Sequence, residues 1–297
     1  VANTTDLSFS STLDAATLTQ SGGQGNTTFD GAVTTSGASS VATNGEIAVQ
    51  ADVTSGGTLI LQSDEDGNGT GDITVSDAVA VDSSNNAMTL VANDIDLQGS
   101  STVTSGTATL TVRESGDNDG IALGAATAGL SLSGDAPDTE LDRMTAGELL
   151  VESNNGTSIT VDGVTAGASE TLDTVTLDAS AGGGSQVLID DTASGARSVF
   201  NNLTVRADGD IDIDSLTLEA DGSVGSGDLH FETPVVLSGD ATVTLVAAGT
   251  ARFDASVSST ATGAHESLKI VTEDIAFSDG VGTDELNLGG SGGGDWL

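Results

Sequence analysis

The stretch from Leu203 to Gly222, LTVRADGDIDIDSLTLEADG, contains one short phrase twice. Leu203-Thr-Val205-Arg-Ala207-Asp-Gly is answered by Leu216-Thr-Leu218-Glu-Ala220-Asp-Gly. Each copy alternates apolar and polar residues and then reaches a small residue and a turn. That is the period of a β-strand with one buried face. Asp210-Ile211-Asp212-Ile213-Asp214, between the copies, alternates just as strictly.

The phrase recurs at Ile47, Leu59, Met88, Leu110, Leu149, Val175, Leu203, Leu216, Val243 and Leu268. Most intervals are of about 25 residues, two are near half that, and the one from Leu110 to Leu149 is much longer; a fixed period of this size marks a solenoid. The half-steps imply that two sides of each coil carry the phrase. The fifth position is small in every copy but one, where Glu114 stands. A small residue there suits a tight corner between coils. The expected fold is all-β: a right-handed parallel β-helix with coils of about 25 residues. Val49, Leu61, Leu90, Val112, Val151, Leu177, Val205, Leu218, Leu245 and Ile270 are expected to line its interior.

Composition agrees. Aromatic residues are 2% of the 297, too few to anchor the core of a sandwich that size, whereas stacked Val, Ile, Leu and Ala fill a narrow coil. With only Pro137 and Pro234, the 40 glycines and the many Asn, Asp, Ser and Thr residues must form the turns. The 45 acidic residues against 6 basic ones give a net charge of −39. This excludes backbone binding to nucleic acid and disfavours anionic lipid. There is no cysteine, and no apolar run is long enough to insert in a membrane. Residues 1–297 read as one solenoid segment without a linker. Neither Val1–Phe9 nor Asp295–Leu297 reads as a polar cap, so both ends are expected to continue into further coils, of the same chain or of an end-to-end neighbour. In 113–148 the pattern is least regular, and Asp138–Met144 is its one helical turn.

Asn26–Val33, Gly57–Asp64 and Ala92–Leu97 resemble the repeats of filamentous-haemagglutinin-type proteins, as do Leu130-Ser-Leu132 and Glu140–Gly147. These are very long, acidic bacterial surface proteins. The resemblance implies a β-helical adhesin shaft or surface filament outside the cell, contacting other cells or surface polysaccharide.

Asp64-x-Asp66-x-Asn68-Gly-Thr70-Gly-Asp72 is the sharpest candidate site. It matches the first half of a calcium loop, so Asp64, Asp66, Asn68 and Asp72, with the Thr70 carbonyl, are candidate Ca²⁺ ligands. The closing glutamate is missing, since Val75 stands in its place. Asp117-Asn-Asp119-Gly120 is a weaker version. Asp210, Asp212 and Asp214 should form an outward row spaced by about two strand rises, roughly 6.5–7 Å. That row raises the alternative of a polysaccharide-acting β-helix enzyme. A calcium-dependent carbohydrate-binding module is the other alternative. His230 and His265 lie in no zinc or nucleophile motif and read as surface residues. No catalytic residue is expected.

Overall fold

The computed structural model describes residues 5–116, 120–133, 140–154, 156–191, 194–195, 197–215, 217–238, 242–259 and 267–278. Leu216, Asp117–Asp119, Asp138 and His265 fall outside these residues, as do Val1–Thr4 of the first expected coil end, Val1–Phe9, and all of the second, Asp295–Leu297.

Alternating short strands wind into a parallel β-solenoid of about 10 turns, with about 24 residues per turn. Each turn has three strands, and each strand pairs in parallel with its counterpart one turn away. The first coil runs Leu7–Phe9, Leu13–Ala15 and Leu18–Gly23. The next runs Thr27–Phe29, Val33–Thr35 and Ser39–Thr43, with Leu7 opposite Thr27, Leu13 opposite Val33 and Leu18 opposite Ser39. Here the period is close to 20 residues, shorter than later in the chain.

The third face is unbroken. It passes from Leu18–Gly23 through Leu59–Gln62, Thr109–Glu114, Met144–Glu152, Leu172–Ala179 and Leu203–Ala207 to Asp274–Phe277. The second face changes sheet halfway, where the single helical turn Ala166–Ser169 is inserted. This turn is not visible in the sequence pattern. It forms because the Thr165 side chain caps it, accepting the Ala168 amide at 3.2 Å. The expected turn near Asp138–Met144 is a 3₁₀ turn, Leu141–Arg143.

The first face also breaks, between Ile95–Leu97 and Ile121–Gly124. The strand Leu130–Ser133 follows Ile121–Gly124 in the chain but pairs back along it, on the side nearer Ile95–Leu97. This added layer accounts for the long interval between Leu110 and Leu149. Its outward amides find no neighbouring carbonyls. The Ser131 amide donates to Asp94 Oδ1 at 3.0 Å and the Ser133 amide to Glu140 Oε2 at 2.8 Å. Two carboxylates thus finish a strand edge that the fold leaves unpaired.

Inward residues stack in columns through the coils. Leu61, Leu90, Val112, Val151, Leu177 and Val205 follow one another on the third face and continue into Phe231, Phe253 and Phe277. The three phenylalanine rings stack at centroid distances of 5.1 and 5.5 Å. Val49 lies on the first face, and Leu218, Leu245 and Ile270 on the second. The phrase therefore occupies three faces, where the half-steps implied two. All ten expected core positions point inward; nine are buried, and Ile270 is partly buried. Each buried aliphatic side chain contributes about 1.5–3 kcal/mol. The small fifth position is a buried corner at Ser63, Ala92, Ser153, Ala179, Ala207 and Ala220.

Glu114 breaks that rule while staying buried, 1% exposed. Its carboxylate accepts the Gly120 and Asn154 amides, each at 3.0 Å, and the Thr157 hydroxyl. It replaces a packed corner with a hydrogen-bonded one at the entrance to the irregular first-face insertion.

Candidate functional site

On the outside of the third face, the fourth position of the phrase carries charge. Register sets Arg113 beside Glu152, Glu152 beside Asp178, and Asp178 beside Arg206. Arg113 pairs with Glu152, and Arg206 with Asp178 at 2.7 Å. The ladder goes on through Glu232, 3.9 Å from Arg206. His230 sits between Glu232 at 3.8 Å and Asp254 at 2.8 Å, and Arg252 reaches Asp254 at 2.7 Å. Half of the chain's six Lys and Arg residues, Arg113, Arg206 and Arg252, lie in this ladder.

The hydrogen bond from Arg252, joined by that from His230, holds the Asp254 carboxyl below its usual range. Burial pushes Asp178 up, but the bonds from Arg206 and Ser180 together outweigh it, so Asp178 is also lowered. Exposed pairs of this kind contribute only about 0.2–1 kcal/mol each, so the ladder matters more for surface charge than for stability.

Beside the ladder lies a groove of about 630 Å³ over the later coils. Its floor holds two columns of outward side chains. One contains Thr204, His230 and Arg252, which are in register on neighbouring strands. The other contains Thr174, Asn202, Asp228 and Thr250. The wall is the connection 221–228, between Thr217–Ala220 and Leu229–Phe231. The equivalent corners are only 201–202 and 248–249.

Two adjacent asparagines of the preceding coil hold this wall. Asn201, buried, accepts the Ser223 hydroxyl at 2.5 Å and the Val224 amide at 3.1 Å. Asn202, facing outward, accepts the Gly227 amide at 2.9 Å and the Asp228 amide at 3.1 Å, and donates to the Asp173 carbonyl at 2.8 Å. Gly225 has a φ of +103°, and a Cβ there would lie 2.3 Å from Asn202 Nδ2. Only glycine fits so close an approach.

The acidic loop 64–72 is arranged differently from a metal cage. Asp64 is buried at a φ of 50°. Its carboxylate accepts the Asn68 amide at 2.8 Å, the Gly69 amide at 3.0 Å and the Ser115 hydroxyl at 2.5 Å. Asn68 Oδ1 accepts the Thr70 hydroxyl, and Asp72 Oδ1 accepts the Asn93 amide group at 3.0 Å. Asp66 is exposed. Among the described residues no three His, Cys, Asp or Glu side chains converge on a point that holds a metal. In this conformation the donor set does not fit Ca²⁺, whose 6–8 ligands need oxygens free to face one centre. Asp64 closes its own loop and ties it to the coil containing Ser115.

Asp210, Asp212 and Asp214 lie outside the core between buried Ile211 and Ile213, and Asp212 accepts the Ser238 hydroxyl. At the break in the first face, burial raises the pKa of Asp94, helped by the charges of Asp72 and Asp96. Burial likewise raises that of Glu140. Sequence reasoning took His230 for an ordinary surface residue and Glu114 for the exception at the small fifth position, without their contacts, and did not single out the wall 221–228. The readable signal for the ladder was the fourth position of the phrase, which runs Arg113, Glu152, Asp178, Arg206.

Comparison with protein-family models, curated proteins and solved structures finds no match for this chain. The fold itself defines the class, a β-solenoid repeat protein.

Proposed function

We infer that this chain is a segment of an extracellular shaft or filament on a bacterial surface, with a mechanical and adhesive role and no catalysis. The observation that carries this reading is the unbroken third face, whose strands pair coil to coil along the whole described length. Such a stack is stiff without disulfides or large aromatic clusters, and parallel pairing sets no limit on the number of coils. Its partners are further coils of the same kind, stacked end to end, and the cells or surface polysaccharide that the shaft touches. The net charge of −39 keeps neighbouring shafts apart and turns nucleic acid away.

Immunogold electron microscopy of intact source cells, with antibody raised against this segment, tests the reading. Label along fibres projecting from the surface is expected. Label confined to the cell interior refutes it. One observation favours a second reading, a polysaccharide-acting enzyme: Asp173, Asp228 and His230 share the groove. Release of reducing ends from a polysaccharide panel, abolished by Asp228→Asn, would support that reading.

A further inference from the structure

At the groove on the third face the coil departs from its repeat toward solvent and is held there by dedicated side chains. In a solenoid, an insertion into a single repeat stands out from the common surface, and such insertions gather on the binding face. Here a two-residue corner is expanded to the connection 221–228, fixed by Asn201 from within and by Asn202 from outside. The wall is therefore in place before any ligand arrives, which lowers the ordering cost of binding.

The floor fixes the chemistry of the occupant. Thr174 and Thr204 lie in the groove with hydroxyls that have no hydrogen-bond partner among the described residues. Asp228 and His230 on one strand, and Arg252 on the next about 4.8 Å away, add acceptors and donors. That spacing is close to the length of one sugar ring in an extended chain. An apolar ligand would strip water from Asp228, His230 and Arg252 and offer them nothing in return. An added peptide strand needs a free sheet edge, and the strands of this floor are paired on both sides except at the last coil. An anionic chain would meet Asp173 and Asp228 and the field of a molecule of charge −39.

We propose that the groove between the wall 221–228 and the floor of Thr174, Thr204, His230 and Arg252 binds a neutral, extended oligosaccharide along the coil axis. Ring hydroxyls pair with the two free threonine hydroxyls, with the Asp228 carboxylate and with the outer edge of Arg252. This deepens the adhesive part of the shaft reading by naming the contact and its ligand class.

The test is titration calorimetry on the isolated chain in molar salt, with cellotetraose, mannotetraose and maltotetraose as neutral probes and tetragalacturonate as the anionic one. At least one neutral probe should bind at millimolar concentration or better. The double variant Thr174→Val, Thr204→Val, which keeps side-chain shape and leaves the ladder intact, should weaken that binding at least tenfold without shifting the thermal melt. Binding by none of the neutral probes, binding unchanged in the double variant, or binding of tetragalacturonate alone would each overturn the proposal. Surface labelling of cells does not depend on this result, so the shaft reading and the groove fail separately.

Discussion

Replacing Glu114 by alanine pits two rules against each other. By the repeat, alanine is the expected residue at a fifth-position corner, as at Ala92 and Ala179, and the variant should be at least as stable as the parent. By the structure, the Glu114 carboxylate is the acceptor for the Gly120 and Asn154 amides. Hydrogen bonds to a charged group contribute about 1.5–3 kcal/mol each. The Thr157 hydroxyl is less exposed to the loss, because it also donates to the Asn154 carbonyl at 2.8 Å. Two orphaned amides cost about 3–6 kcal/mol, and release of a buried charge returns part of this, leaving a net loss of about 3 kcal/mol. Glu114→Gln keeps one acceptor and should lose only about 1 kcal/mol. Urea denaturation in molar salt gives the global change. Hydrogen exchange gives the local one: a loss of about 3 kcal/mol speeds exchange at Gly120 and Asn154 about a hundredfold. An alanine variant as stable as the parent, with both amides still protected, would refute the reasoning.

Leu218→Asp places a charge at a fully buried point of the second face and should cost several kcal/mol, read as loss of the strand signal in circular dichroism at ordinary temperature. Asp94→Asn should stabilise. Because burial raises the Asp94 pKa in the folded state, the folded protein binds the proton more tightly than the unfolded one. Stability therefore rises as pH falls through that raised pKa and levels off below the ordinary value of 3.8. Asparagine keeps the acceptor for the Ser131 amide, so the melting-temperature gain should be largest near pH 8 and shrink by about pH 4; a gain that grows on acidification would contradict this. Chelator should leave the melt unchanged, while Asp64→Ala, which strands the Asn68 and Gly69 amides, should lower stability by about 2–4 kcal/mol. A chelator-sensitive melt would restore calcium to this loop.

The alternation around Leu203–Ala207 was enough to reveal the coil, since its apolar positions Leu203 and Val205 face inward, as do their counterparts in the neighbouring coils. Its hidden parts are those where polar residues occupy inward positions. Gln20 and Thr27 are buried in the first coils and bond each other at 2.8 Å, so an apolar-periodicity reading sees weak strands in a regular 20-residue repeat. The strand Leu130–Ser133 has an ordinary pattern, but its reversed place in the stack depends on Asp94 and Glu140, which the sequence does not connect to it. The acidic turn 64–72 was legible as a turn. That Asp64 rotates inward depends on Ser115, two coils further along. The groove needs the unequal corners of three successive coils, which no single motif contains.

Because the ladder bonds of the third face run along the coil axis, a pull on the two ends loads them one level at a time, like opening a zip. One released turn of about 24 residues changes from a layer roughly 4.8 Å thick into a thread of about 80 Å. A solenoid built this way lengthens many times over before the chain is taut, dissipating the work of each opened turn. The added layer at Leu130–Ser133, held on its outer edge by two carboxylates, is where such a tether should yield first, and acid should make it harder to open.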